Sequence, residues 1–301
     1  MRILLLGANG QVGHELRRAL APLGEVVCTT RSGTLADGST CEVADFDAPS
    51  SLPAIVDRIA PDVVVNAAAY TAVDQAESEP EAAFRANAEA PGALARACAQ
   101  RDALLVHYST DYVFDGSGTR PYREDDPTAP LGVYGASKLA GEQAVQASGA
   151  RHLIFRTAWV YSPHGRNFLL TMLRLAKERD ELRVVADQIG TPTPAALIAD
   201  TTATILAGPF RRSGLWHLTA TGQTSWYGFA SAIVDDAHAR GLIARKPVVV
   251  PIASCEYPTP AKRPAYSCLA TTDLVAVFGT SLPDWRAALR PVLAGAAAPR
   301  G

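Results

Sequence analysis

The feature that most constrains this chain is a recurrence in its first half. Short apolar runs, RILLL at 2–6, EVVC at 25–28, DVVVN at 62–66, ALLVHYS at 103–109 and HLIFRT at 152–157, alternate with segments of helical pattern. A strand covered by helices on both faces has no wet side to mark with polar residues, so it reads as continuously apolar. The intervening segments QVGHELRRALAPLG, EPEAAFRANAEAPGALARACAQ and YGASKLAGEQAVQASG carry the periodicity of helices. Strand and helix in alternation predict βαβ units and a doubly wound parallel α/β sheet.

Beyond Tyr161 the pattern loosens into a helix candidate from Asn167 to Arg179, a run LRVVAD, the segment TPTPAALIAD, a strand-like GLWHLTA and a helix near Trp226 to Arg240. The stretch VVVPIASCEYPTPAKRPAYS is rich in proline and reads as an irregular, pocket-forming loop. These features place a Rossmann-like unit over 1–160 with parts of 193–235. A smaller, interleaved lobe is expected over 161–192 and 236–301, ending in a frayed tail AGAAAPRG.

The turn after the first run is Gly7-Ala8-Asn9-Gly10-Gln11-Val12-Gly13. Glycines between a strand and a helix permit a tight turn and bring backbone close to a pyrophosphate, while the free N–H groups of the helix start attract its charge. The second run ends in Thr29, Thr30, Arg31 and Ser32 rather than in the acidic residue that would bind the ribose hydroxyls of NAD. Arg31 suits a 2′-phosphate, which favours NADPH, with NADH left open as a second donor. An exposed arginine with no ligand is the competing reading.

Tyr134 and Lys138 stand at i and i+4 in a predicted helix and so share one face. A phenol with a reference pKa of about 10 is a poor proton donor or acceptor near neutrality, and a neighbouring cation stabilises its phenolate. Upstream, ALLVHYS runs out into Thr110 and Asp111, bringing a hydroxyl to the carboxyl edge of the sheet, where such folds bind ligands. Thr110 could hold a carbonyl oxygen while Tyr134 protonates it during hydride transfer. As an alternative, Thr110 caps a turn.

Twenty-eight Lys and Arg against 30 Asp and Glu leave no broad basic surface for a nucleic acid or an anionic membrane, so a small-molecule partner is expected. The start MRILLLGANG has too short an apolar run for a signal peptide or a span, and the five cysteines show no CxxC spacing. A reduced, cytoplasmic, metal-free protein is the expectation.

Eight segments carry a wider resemblance: GANGQVG, VNAAAYTAVDQAESEP, HYSTDYVFDG, VYGASKLAGE, FRTAWVY, NFLLTMLRLAKER, DQIGTPT and YPTPAKRP. Through them the chain resembles the extended short-chain dehydrogenase/reductase superfamily and, within it, the dTDP-4-dehydrorhamnose reductases. The resemblance implies NAD(P)H-dependent reduction of the C4 ketone of dTDP-4-dehydro-β-L-rhamnose, the last step to dTDP-L-rhamnose for cell-surface polysaccharide. Thr110, Tyr134 and Lys138 would be catalytic, Lys138 also holding the nicotinamide ribose. Asn9, Gly10, Gln11 and Val12 would meet the pyrophosphate, Asp45 and Phe46 the adenine, and Ala68, Ala69, Thr71 and Tyr108 the rest of the cofactor. Around the dTDP-sugar the resemblance places Val73, Asp111, Tyr112 and Trp159, with Asn167 and Arg263 toward its diphosphate; Trp159 reads equally as core packing.

Some members of this family are dimers bridged by magnesium through glutamates. Glu15 is present here, but Ala195 and Ala196 stand where a carboxylate would be wanted, and a hard cation needs oxygen ligands. A metal-free monomer or weak homodimer is therefore expected. Two rival functions stay open: another nucleotide-sugar epimerase or dehydratase of the superfamily, and a non-catalytic NADP-binding regulatory subunit.

Overall fold

The computed structural model describes residues 1–209 and 212–297. The five apolar runs become β1 (Arg2–Leu6), β2 (Glu25–Thr30), β4 (Val63–Asn66), β5 (Leu104–Thr110) and β6 (His152–Thr157), with a two-residue β3 (Glu42–Val43) between the second and third. Together with the Gly214–His217 strand they form one parallel sheet in the order Gly214–His217, β6, β5, β4, β1, β2, β3. Strand order reverses between β1 and β4, and the crevice beyond their carboxyl ends is where an open α/β sheet binds its ligand.

Continuous apolarity in these strands serves two cores at once. Leu4, Leu6, Val64, Leu105 and Ile154 face one layer of helices. Ile3, Leu5, Val63, Val65, Val106, Leu153 and Phe155 face the other. The Thr272–Phe278 helix returns to this second layer, where Leu274 is fully buried. Burying each such side chain contributes about 1.5–3 kcal/mol, which holds the sheet rigid under its ligand-binding edge.

A separate core gathers Tyr161, Leu169, Leu173, Leu182, Phe229, Ile233 and Leu289 from the Phe168–Glu178, Trp226–Ala239 and Trp285–Ala297 helices. It also takes in the Glu181–Val185 strand, which pairs in parallel with Val248–Ile252. The stretch expected to be irregular from Val248 onward thus opens as a strand. Its β-branched residues favour extended backbone, and a two-stranded ribbon leaves Pro251 an edge on which a missing N–H is tolerated. The expected frayed tail is helical through Ala297, and 298–301 lie outside the described residues.

The segment expected to be one helix over 79–100 is broken into Pro80–Phe84, a π-helical turn Arg85–Glu89 and Ala90–Gln100. Pro91 has no N–H to return to the carbonyl of Asn87, so the regular ladder cannot pass this point. The freed carbonyl sits against Gly141, where a Cβ would come within 2.0 Å of it. Only a glycine lets the Val133–Gln146 helix approach so closely.

Candidate active site

The dinucleotide end of the crevice is made of backbone. Gly7 has φ +78°, and a Cβ there would lie 2.7 Å from the backbone nitrogen of Ala68, just beyond β4. At Gly13 a Cβ would be 2.0 Å from the carbonyl oxygen of Gly7. The glycines therefore fold the loop flat against the switch point. The helix that follows, Gln11–Leu20, starts at Gly10 with no side chain capping it, so its first N–H groups face outward for an anion. These features fit a bound dinucleotide phosphate.

Around this loop the expected cofactor residues are brought together unevenly. Asn9 is held in place by Thr34 and Ala36, its amide donating at 3.0 Å and accepting at 2.9 Å. Arg31 is 72% exposed and only 3.6 Å from Asp47, a loose pair that leaves its guanidinium reachable by a phosphate. Asp45 accepts from the Asp47 backbone and the neighbouring Phe46 is buried. Ala68, Ala69, Thr71 and Val73 line the chain leaving β4, with Val73 opening a short helix Val73–Ala76. Tyr108 turns its hydroxyl away, to Thr202 at 2.9 Å on the Ala195–Ala207 helix, and contributes its carbonyl to the site instead.

The reacting end is made of side chains. Tyr134 sits in the first turn of the Val133–Gln146 helix and Lys138 one turn on, 2% exposed, its Nζ donating to the Tyr108 carbonyl at 2.6 Å. Burial pulls the lysine down to about 8, although the Glu142 carboxylate opposes the change. Burial also pushes the Tyr134 phenol well up, while the facing Thr110 hydroxyl draws it back. Neither group is at its ordinary value without a ligand, which is the condition in which added charge from a cofactor has most leverage.

Thr110 ends β5 at 5% exposure, its hydroxyl donating to Asp111 at 3.0 Å and accepting from the Tyr112 backbone at 3.2 Å. The cap is thus realised at Thr110, and it leaves the residue at the carboxyl edge of the sheet. Asp111 is 2% exposed, and burial raises its carboxyl to about 6 against hydrogen bonds from Ser267 and Thr110. The Tyr112 ring meets the Tyr134 ring edge-on at 5.5 Å. These four side chains close the floor of the crevice.

Over them stand residues of the C-terminal half. Arg263 donates to Asp74 at 2.7 Å, and Asp74 also accepts from the Ala261 backbone at 3.2 Å, so a loop of that half is latched to the short helix after β4. Trp159 has φ +46° and stacks face to face on Trp226 at 3.5 Å, its edge covering Gly190, where a Cβ would lie 2.4 Å from the indole. Asn167 caps the Phe168–Glu178 helix through the Leu170 N–H and donates to Gln11 at 2.8 Å, tying that helix to the glycine loop.

Sequence reasoning passed over a buried polar layer beneath the floor. Arg156 grips Glu142 through two hydrogen bonds of 2.9 and 2.7 Å, Ser109 also donates to Glu142, and His107 bonds Asn66 at 3.1 Å. Asn87, from the π turn, donates to Ser137 at 3.0 Å. The signals were present: an arginine in the otherwise apolar HLIFRT, a histidine inside ALLVHYS, and Glu142 eight residues after Tyr134 on the same helical stripe. Glu15 lies near Arg18 and His164, and among the described residues no group of three or more His, Cys, Asp or Glu side chains could hold a metal ion.

A phosphate-ready loop, a phenol one helical turn from a buried ammonium and a threonine at a sheet edge define a nicotinamide-dependent oxidoreductase of the short-chain dehydrogenase/reductase class. The family described as RmlD substrate binding domain matches residues 1–297. A dTDP-4-dehydrorhamnose reductase of Burkholderia thailandensis is 52% identical over 300 residues, covering 96% of this chain and 97% of its own. Crystal structures of such reductases from Clostridium acetobutylicum and, in complex with NADP, Bacillus anthracis are 37% and 35% identical, each with a TM-score of 0.88 over 98% of this chain and 99% of theirs. The chain belongs to the dTDP-4-dehydrorhamnose reductase family.

Proposed function

We propose that this chain reduces the C4 ketone of dTDP-4-dehydro-β-L-rhamnose to the alcohol of dTDP-L-rhamnose, with NADPH as donor and NADH as a weaker substitute. The observation that carries the reading is the convergence of Thr110, Tyr134 and Lys138 at the switch-point crevice. A dinucleotide whose pyrophosphate is held at the glycine loop would supply the hydride from its nicotinamide. Thr110 and Tyr134 hold the ketone oxygen, and Tyr134 gives it a proton as negative charge develops there. Lys138 stabilises the phenolate left behind; one of its three N–H groups is fixed on the Tyr108 carbonyl, which aims the rest into the crevice.

Gly10, Gln11 and Val12 hold the pyrophosphate through the helix start, and Arg31 the 2′-phosphate. Val73, Asp111, Tyr112 and Trp159 surround the sugar, with Asn167 and Arg263 on the diphosphate side; Arg263 must then share its guanidinium with Asp74. We take the Rossmann unit as 1–160 with parts of 193–235 and the substrate lobe as 161–192 and 236–297, with the Thr272–Phe278 helix packing back on the Rossmann layer and the Trp226–Ala239 helix joining the core of the lobe. Among the described residues no helix is long and apolar enough to cross a membrane, in keeping with a cytoplasmic enzyme, and we place it as a monomer or weak homodimer without magnesium.

Purified protein given the 4-keto sugar nucleotide and NADPH should consume cofactor one for one with ketone. Product formed without net consumption marks an epimerase, and no turnover with either nicotinamide rejects the reading in favour of a regulatory subunit.

A further inference from the structure

Residues at i, i+4 and i+8 of an α-helix lie along one stripe. On the Val133–Gln146 helix those positions are Tyr134, Lys138 and Glu142, and their partners on β5 are three consecutive residues. Thr110 faces Tyr134, the Tyr108 carbonyl receives Lys138, and the Ser109 hydroxyl donates to Glu142. Arg156, opposite Ser109 in the β5–β6 register, closes a bidentate pair on the same carboxylate. Glu142 and Arg156 are 1% and 4% exposed. From this arrangement we infer that Glu142 is a positioning residue for the reduction, fixing the register of the Tyr134–Lys138 helix against Thr110 and keeping an anion one turn from Lys138.

A buried ion pair is weak evidence for a stability role, since well-packed apolar residues often serve as well. This pair differs in where its bonds go. A planar guanidinium fork on a carboxylate fixes direction as well as distance, and here it joins the catalytic helix to both strands whose ends form the site. The Arg156 guanidinium is itself held between the Glu124 carbonyl, at 3.4 Å, and the Phe114 ring, 5.1 Å from its centroid. The anchor therefore cannot swing with the helix.

The charge matters as well as the geometry. Groups facing Lys138 are Glu142 of its own helix and His107 and the Tyr108 carbonyl of β5, with Tyr134 one turn back on the same stripe, while Arg156 of β6 faces Glu142. Burial keeps His107 neutral, so the Glu142 carboxylate is the anion that favours the ammonium form of Lys138. Removing that charge must move the pH at which Lys138 is lost to a lower value.

The inference rests on the catalytic assignment above, so Tyr134→Phe is assayed beside the test variants. If it turns over like wild type, that assignment has failed; if it is inactive, Glu142→Gln, Glu142→Asp and Ser109→Ala judge the inference alone. Expected for Glu142→Gln are a kcat about a hundredfold lower and an alkaline limb about one pH unit lower. Glu142→Asp should return the limb to its wild-type place. Ser109→Ala leaves the ion pair whole, so it should fold, lose about tenfold in kcat and keep both KM values within about twofold. A folded Glu142→Gln enzyme with unchanged kcat and limb overturns the inference. Should Glu142→Gln not fold, Ser109→Ala decides: a kcat within about twofold of wild type overturns it, and a tenfold loss upholds it.

Discussion

The two ends of the crevice are built by opposite means. At the dinucleotide end the shape comes from side chains that are missing, Gly7, Gly10 and Gly13, and from a helix start that no side chain caps. At the reacting end it comes from side chains packed in and charged: Lys138, Asp111, Glu142 and Arg156, all under 5% exposed. The first end is intolerant of addition and the second of removal. A phosphate needs only fixed dipoles at the right distance, whereas a developing oxyanion needs groups whose protonation is already displaced from its resting value.

Substitutions can break this contrast, and the largest effect is expected at the reacting end. Tyr134→Phe should lower kcat by about 10²–10⁴-fold with NADPH affinity, read by fluorescence titration, nearly unchanged. A parallel loss of affinity would mean that the two ends are not separate. Gly7→Ala should do the reverse: the added methyl meets Ala68 at a positive φ, so NADPH binding should weaken more than about tenfold and stability fall by about 1–3 kcal/mol. Saturating NADPH should restore most of kcat.

Electrostatic loading predicts a pH signature. Asp111 has a folded value raised to about 6 from 3.8, so its contribution to stability is full below the unfolded value and is lost as pH rises through 6. Asp111→Asn should therefore gain about 1–3 kcal/mol on wild type between pH 4 and 7.5 in urea melts. A constant difference across that range would remove Asp111 from the loaded set. The smallest effect belongs to the tie between the glycine loop and the Phe168–Glu178 helix: Asn167→Ala loses a helix cap and the bond to Gln11, and should cost about 1 kcal/mol in thermal melts.

What could be read from the sequence follows the same division. The glycine loop and the Tyr134–Lys138 spacing are local patterns, complete within one turn or one helix, and the fold class follows from apolar runs that need no partner to be recognised. The Glu142–Arg156 pair is not local. Each residue alone has the composition of a solvated surface, and only the β5–β6 register and the helix lying across it put both inside. His217 was hidden likewise, in the middle of the strand-like GLWHLTA and fully buried where the Gly214–His217 strand ends, held near 3 by burial and by Arg156. The Val248–Ile252 strand escaped because its partner, Glu181–Val185, lies more than sixty residues away and its proline argued for a loop.

Trp159 and Gly190 have a bearing on how this chain can drift. The indole occupies the volume that any side chain at 190 would need, and it is pinned there by Trp226. A mutation at 190 therefore arrives into occupied space, while one that shrinks residue 159 leaves Trp226 without its stacking face. Each position thus constrains the other. A change at this corner is therefore coupled, so the order in which mutations arise, and not only their final sum, bears on which shapes descendants of this chain can reach.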